Sequence, residues 1–216
     1  MSAREAGVGL IEVELEDPAW AEALPGVEGL VVEAAMAALT VCAPPPFMGE
    51  VDPSNARGRR GQACDPPFAP SVASLRSRHL PHEWGRSKEI GPVTVLLTDD
   101  ATVRDLNARF RAKDYATNVL SFPAAPQPGP PGPQPLGDLA LAFGVCAAEA
   151  KTQGKSLADH LRHLVAHGVL HLLGHDHEDD AEAEVMEALE REILAGLGVA
   201  DPYLSAALSD CGAGHV

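Results

Sequence analysis

The sequence predicts a mixed α+β domain built on a small sheet, with a metal-binding helix near its C-terminal end. Three observations carry this. Strand-like segments come early and helical ones late, which fits an α+β layering. The 216 residues are 45% hydrophobic, enough to bury one core and to form one domain over residues 1–216. Near the end, two histidines four residues apart precede a helix-ending glycine. Aromatics make up only 4% of the chain, so aliphatic packing must carry the core.

In order, Ile11-Glu12-Val13-Glu14-Leu15-Glu16 alternates apolar and acidic residues, the pattern of a half-buried strand. From Glu28 to Leu39, Leu30, Val31, Ala34, Ala35 and Ala38 recur at helical spacing, small enough for close packing on a sheet. Residues 43–89 change character, with Pro44-Pro45-Pro46, Pro66-Pro67, Arg57-Gly58-Arg59-Arg60 and Arg76-Ser77-Arg78 breaking any period. So proline-rich a stretch reads as a long loop or insertion; its arginines fit either RNA contact or a solvated linker. His79 and His82 have no ligand spacing and read as solvated.

Order resumes with the apolar strand Pro92–Leu97. Thr98-Asp99-Asp100 then supplies an N-cap and first-turn carboxylates for a helix from about Ala101 to Phe110, with Val103, Leu106 and Phe110 on its buried side. Thr117–Pro123 is a short strand stopped by proline. Pro123–Pro135 is a loop, because such proline density supports neither helix nor ladder. Leu136–Phe143 is a further strand, expected near a sheet edge. Helices follow over Val145–Gln153, with a break at Gly154, and over Leu157–Leu173. Asp179 or Asp180 caps a last helix to about Leu197, with Val185, Leu189 and Ile193 as its apolar stripe and its glutamates in water. The tail after about residue 204 is expected to fray.

The stretch His167-Gly168-Val169-Leu170-His171-Leu172-Leu173-Gly174-His175-Asp176-His177 holds the chemistry. His167 and His171 lie one turn apart on one helical face, so both imidazoles can close on one metal ion. Gly174 ends the helix at little conformational cost, and the turn brings His177 within reach as a third ligand. Three neutral nitrogens leave the fourth tetrahedral position of zinc open, as in catalytic sites. Such a site lowers the pKa of bound water to about 7. This zincin-like helix matches the metzincin pattern H-E-x-x-H-x-x-G-x-x-H in its histidines and glycine. Gly168 replaces the glutamate base, which counts against a peptidase. Zinc is the expected metal, although imidazoles also suit nickel and iron.

The formal net charge is −15, awkward for an enzyme of nucleic acids, which needs positive potential at phosphates. The acids crowd into Glu5–Glu33 and Asp176–Glu192, however, and binding depends on the local patch. Arg109-Phe110-Arg111-Ala112-Lys113 is the dense basic cluster of the ordered part; it fits a phosphate site or a solvated helix end. Cys42, Cys64, Cys146 and Cys211 are widely spaced, without metal-ligand or disulfide patterning. The opening MSAREAGVGLIEVELED has no apolar core of a signal peptide, and no segment is long enough to span a bilayer. A soluble, cytoplasmic protein with no membrane partner is expected.

Leu106-Asn107, Phe110-Arg111, Asp114, Thr117-Asn118-Val119-Leu120-Ser121-Phe122-Pro123, Leu136-Gly137-Asp138 and the HGVLHLLGHDH stretch together resemble the YbeY family, bacterial zinc-dependent endoribonucleases of rRNA processing and ribosome quality control. The resemblance runs nearly continuously over residues 92–203, more weakly over the N-terminal strand and helix. It implies a small mixed β-sheet surrounded by helices, with the metal at the end of a cleft. It implies a single-strand-specific endoribonuclease that matures the 3′ end of 16S rRNA and works on the small ribosomal subunit. By the same resemblance, one Zn²⁺ per chain is held by His167, His171 and His177, and Arg111 is the functionally important arginine.

Two departures stand out. His175 occupies a position where the family usually has tyrosine, adding a competing imidazole, and the 43–89 stretch is foreign to the family pattern. His160 and His163 share roughly the face of His167, as supporting groups, RNA contacts or packing residues. Asp138 and Asp176 are candidates to orient ligand histidines, or serve a turn or cap. Two other functions compete: a ribosome-assembly factor with a mainly structural metal and little nuclease activity, and a metallopeptidase with its base elsewhere. The nucleophile, water or the RNA 2′-OH, is open.

Overall fold

The computed structural model describes residues 10–42, 91–125, 133–177 and 179–203. Four short runs build one sheet: β1 (Ile11–Leu15), β2 (Val93–Thr98), β3 (Val119–Pro123) and β4 (Gly137–Ala142), in the order β1-β2-β4-β3. β1 with β2 and β2 with β4 are parallel, whereas β3 runs antiparallel on β4. Parallel neighbours need long connections. Helices α1 (Ala19–Ala23) and α2 (Val27–Cys42) lie in the first, and α3 (Asp100–Arg111) lies in the second. After β4 come α4 (Phe143–Gln153), α5 (Leu157–Leu172) and α6 (Asp180–Gly196). The expected α+β class with a small mixed sheet is what these residues form.

Strand periodicity divides the apolar residues between the two faces. Val93, Val95, Leu97, Leu139 and Leu141 join the larger core with α2, α5 and α6. Leu96, Leu120, Phe122, Ala140 and Ala142 pack on the other face with Val103 and Leu106 of α3. β4 is therefore an inner strand, not the edge strand expected. Every residue but Asp138 is buried, and a strand covered on both faces reads as a continuous apolar run. The edges are β1 and β3.

Local chemistry sets the helix ends. Asp99, Ser156 and Asp179 are N-caps, each accepting a hydrogen bond from a backbone N–H three residues on. Gly154 ends α4 in the left-handed conformation, at φ 65°. The short α1, absent from the sequence reading, forms where Trp20 is driven into the core. Its indole N–H donates to the Thr98 carbonyl at 3.1 Å, and its ring packs edge-on to Phe143. On α3 the expected burial of Phe110 does not hold. Phe110 is 62% exposed and touches Phe122 edge-on, while Asn107 takes the buried place. Cys42 and Cys146 form no disulfide. The 43–89 stretch before Gly91, with Cys64, His79 and His82, and the tail after 203, with Cys211, lie outside the described residues, as do 126–132 of the proline loop.

Gly137 opens β4 at φ 142°, and a Cβ there would stand 2.3 Å from the Phe122 carbonyl oxygen and 3.0 Å from the Ala124 nitrogen. Backbone cannot step aside cheaply. Gly137→Ala should destabilise the protein by roughly 2–3 kcal/mol through strain and lost β3–β4 pairing, read as a lowered urea midpoint. An unchanged midpoint would show that this pairing is not strained by a side chain.

Candidate metal centre and cleft

α5 is amphipathic, and its C-terminal half, which carries the histidines, packs against β3 and β4. Gly168 shows how tightly the intervening face packs: a Cβ there would lie 2.8 Å from Leu139 Cδ2 and 3.4 Å from Ser121 Oγ. A side chain beside His167 would therefore have to displace a buried leucine. This explains locally why no glutamate stands there. After Leu172 the chain turns through Gly174, at φ 86°, and His177 comes back over the helix end.

One ligand atom from each of His167, His171 and His177 lies within 4.8 Å of the others. The tautomers of two of the three rings follow from their partners. His171 Nδ1 faces the His175 carbonyl at 3.0 Å, and a carbonyl only accepts, so Nδ1 carries the proton. His167 Nδ1 faces Glu190 Oε1 at 2.7 Å and donates likewise. In the neutral rings both Nε2 atoms then present lone pairs, and these stand 3.1 Å apart. Two lone pairs at that distance repel unless a cation sits between them. Tetrahedral zinc with ordinary Zn–N bonds separates its ligand nitrogens by about 3.3 Å. The donor set fits a divalent ion.

Glu190 carries this arrangement, although the glutamates of its helix are expected in water. It is 1% exposed and accepts from His163 Nε2 at 3.0 Å, from His167 Nδ1, and from the Tyr203 hydroxyl. Burial by itself pushes its carboxyl up, but these three hydrogen bonds overcome it and hold the group well below the usual carboxylate range. Tyr203 is pushed up by burial and by Glu190. A signal existed: Met186, Glu190 and Leu194 fall at i, i+4 and i+8, so the acid sits on the apolar face.

The other candidates separate. His163 joins the centre through Glu190, whereas His160, 3% exposed, turns away to Glu149 at 2.9 Å. Glu149 also accepts from Asn118 Nδ2 at 3.0 Å. Asp176 lies 3.9 Å from His171 Nδ1 and accepts from the His177 N–H, so the His175 carbonyl is the closer orienting partner of His171. Asp138 is exposed in β4, opposite Thr94 and Phe122, away from the histidines. A cleft of about 460 Å³ is lined by the three histidines, His175, Asp176, Asn118, Ser121 and Arg111 among others. Arg111 reaches it from the end of α3 and donates to the Ser121 carbonyl at 3.3 Å. Arg109 and Lys113, grouped with it in the sequence, do not line the cleft.

An α+β fold that brings three convergent histidines and an arginine to one cleft defines a protein with a metal-capable site. Residues 75–198 match the family described as Endoribonuclease YbeY; the match begins inside the 43–89 stretch. Endoribonuclease YbeY of Chelativorans sp. (strain BNC1) is 60% identical over 112 residues, 51% of this chain and 69% of that protein. Its counterpart in Azorhizobium caulinodans is 59% identical over 111 residues, 51% of this chain and 70% of that one. That of Paramagnetospirillum magneticum is 59% identical over 115 residues, with coverage of 51% and 70%. A solution structure from Thermotoga maritima aligns with 87% of this chain and 91% of that one, at 16% identity and a TM-score of 0.42. The chain belongs to the YbeY family of endoribonucleases.

Two outcomes follow. Glu190→Gln, which puts an amide where three donors point, should weaken metal affinity by about 10–100-fold in a competition titration with a chelator; unchanged affinity would make Glu190 purely structural. Acid should destabilise the metal-free protein. His171 is held below its ordinary 6.5 by burial and by His167 and His177, and Glu190 below 4.5. Both groups bind more protons unfolded, so stability is present above those values and lost as pH falls, first below about 6.5 and again below about 4.5. Chemical denaturation between pH 7.5 and 4 checks it, and Glu190→Gln should remove the lower step.

Proposed function

We propose that the chain, acting as one domain over residues 1–216, is a zinc-dependent endoribonuclease that cuts single-stranded rRNA, maturing the 3′ end of 16S rRNA and serving ribosome quality control in the cytoplasm. His167, His171 and His177 would hold one Zn²⁺, and Arg111 is the catalytic side chain that handles phosphate. One observation carries the reading: the histidine triad and Arg111 line the same cleft, in a chain whose relatives are named endoribonucleases. None of the helices among the described residues is long and apolar enough to cross a membrane.

When bound, the metal supplies Lewis acidity at a phosphoryl oxygen and acidifies water. The chain's own groups do the rest. Arg111 spends one N–H on Ser121 and keeps its remaining donors for the non-bridging oxygens of the scissile phosphate. As negative charge grows there, an arginine fixed by its own hydrogen bond stabilises it without reorganising. Glu190 and the His175 carbonyl keep His167 and His171 in the tautomers that leave Nε2 free. If the RNA 2′-OH attacks, the O2′–P bond forms as the P–O5′ bond breaks, leaving a 2′,3′-cyclic phosphate and a 5′-hydroxyl. If water attacks, its oxygen bonds to phosphorus as one P–O ester bond breaks and the departing oxygen takes up a proton, leaving one phosphomonoester end and one hydroxyl end.

The test compares wild type, His171→Ala and Arg111→Ala, with metal quantified, on single-stranded RNA carrying the 16S 3′ end and on its duplex. Wild type should hold about one zinc per chain and cut the single strand. His171→Ala should lose metal and cleavage together. Arg111→Ala should keep the metal and cut at least about 100-fold more slowly. Equal cutting by all three would mark the activity as a contaminant and favour an assembly factor with a structural metal.

A further inference from the structure

Beside the cleft, residues 109–115 are exposed without interruption, and they read Arg-Phe-Arg-Ala-Lys-Asp-Tyr. The chain has only 5 phenylalanines, 2 tyrosines and 2 tryptophans, yet two of these aromatics face solvent here. Phe110 is 62% and Tyr115 54% exposed; the other exposed large apolar residue among the described ones is Leu15, at 38%. Leaving an aromatic ring in water forfeits burial that a sparse aromatic complement can ill spare.

The turn is held rigid. Ala112 adopts φ 55°, the single positive φ outside glycine among the described residues, a conformation that costs energy for alanine. Asn107, 2% exposed, is what fixes it. Its carbonyl accepts from Ala112 and Lys113, and its side-chain amide donates to the Tyr115 carbonyl at 2.8 Å. Arg104 grips Asp114 with two bonds, 2.7 and 3.0 Å long. That pairing neutralises the one acid of the run. Its three cations are left in an otherwise acidic chain, with the Arg109 guanidinium 5.6 Å from the Phe110 ring centre. Arg111, in the same run, lines the cleft.

From this geometry we infer that the 109–115 turn is a stacking platform for the RNA strand as it leaves the cleft, with Phe110 and Tyr115 receiving unpaired nucleobases and Arg109 and Lys113 its phosphates. The inference rests on the RNA-cleaving reading above and supplies its preference for single strands. Bases in a duplex have no free face to offer, whereas any unpaired base can stack on an exposed ring. Cations flanking the rings favour a polyanion over an apolar or basic protein surface. A turn ordered before binding spends little entropy when a strand arrives.

The test measures binding of a 2′-O-methyl single-stranded oligonucleotide to the metal-loaded protein by fluorescence anisotropy, alongside cleavage of the unmodified RNA. Phe110→Ala and Tyr115→Ala should each bind roughly tenfold more weakly, with metal content unchanged and the protein still folded. Phe110→Trp should restore binding and Phe110→Leu should not. An oligonucleotide with abasic positions should bind wild type and Phe110→Ala alike. Joint replacement of Arg109 and Lys113 by glutamine should flatten the dependence of log K on log salt by about 0.7 per lost phosphate contact. If Phe110→Ala binds like wild type while wild type still binds and cuts, the platform is refuted and the nuclease reading stands. Full binding by Phe110→Leu would equally refute stacking. If wild type neither binds nor cuts, the RNA reading fails and the platform with it.

Discussion

The carboxylate of Glu190 joins the last helix to the helix that carries the histidines, and much of the site depends on it. Removing a charge from water is costly unless donors surround it, and here three do: two imidazoles and a phenol. Because it accepts and never donates, it dictates which nitrogen of His167 keeps its proton. The His175 carbonyl does the same for His171. The two inward lone pairs are therefore a product of the surroundings, not of the imidazoles alone. α6, whose outer face is acidic and unremarkable, is in this sense half of the candidate metal centre.

The sheet serves the site by holding α5 close. Gly168 lets the helix settle onto Leu139, and the histidines on the neighbouring face then open over the edge strand β3. Arg111 arrives from the opposite layer, since α3 packs on the other side of the sheet. The cleft is thus assembled from both layers, meeting around the rim of one strand.

Much of this was legible in the sequence where local rules dominate. Caps at Asp99 and Asp179, the stop at Gly174 and the 167–171–177 spacing follow from the chemistry of a few adjacent residues. What escaped depended on partners distant in the chain. β4 is expected near an edge, whereas its position between β2 and β3 is set by pairing with strands distant in the chain. Phe110 has the spacing of a core residue, and only the place of Asn107 reveals which side of α3 is covered. Glu190 lies on the apolar stripe of a helix rich in exposed acids, and composition masks it.

The outer rim of β3 has one more consequence. Asn118 accepts from Ala142 of β4 and Ala124 donates to Leu136 just before it, so by antiparallel alternation the backbone groups of Val119, Ser121 and Pro123 face outward. Three of these groups are already dealt with: the Val119 N–H by the Asn118 side chain at 2.7 Å, the Ser121 carbonyl by Arg111, and residue 123 by having no N–H to offer. An open strand edge invites another chain to add to it, and proteins guard against this with charge and proline. Residues on the cleft wall thus also discourage self-association. A substitution at Asn118 or Arg111 strips that guard, and its solubility and oligomeric state carry information separate from its turnover.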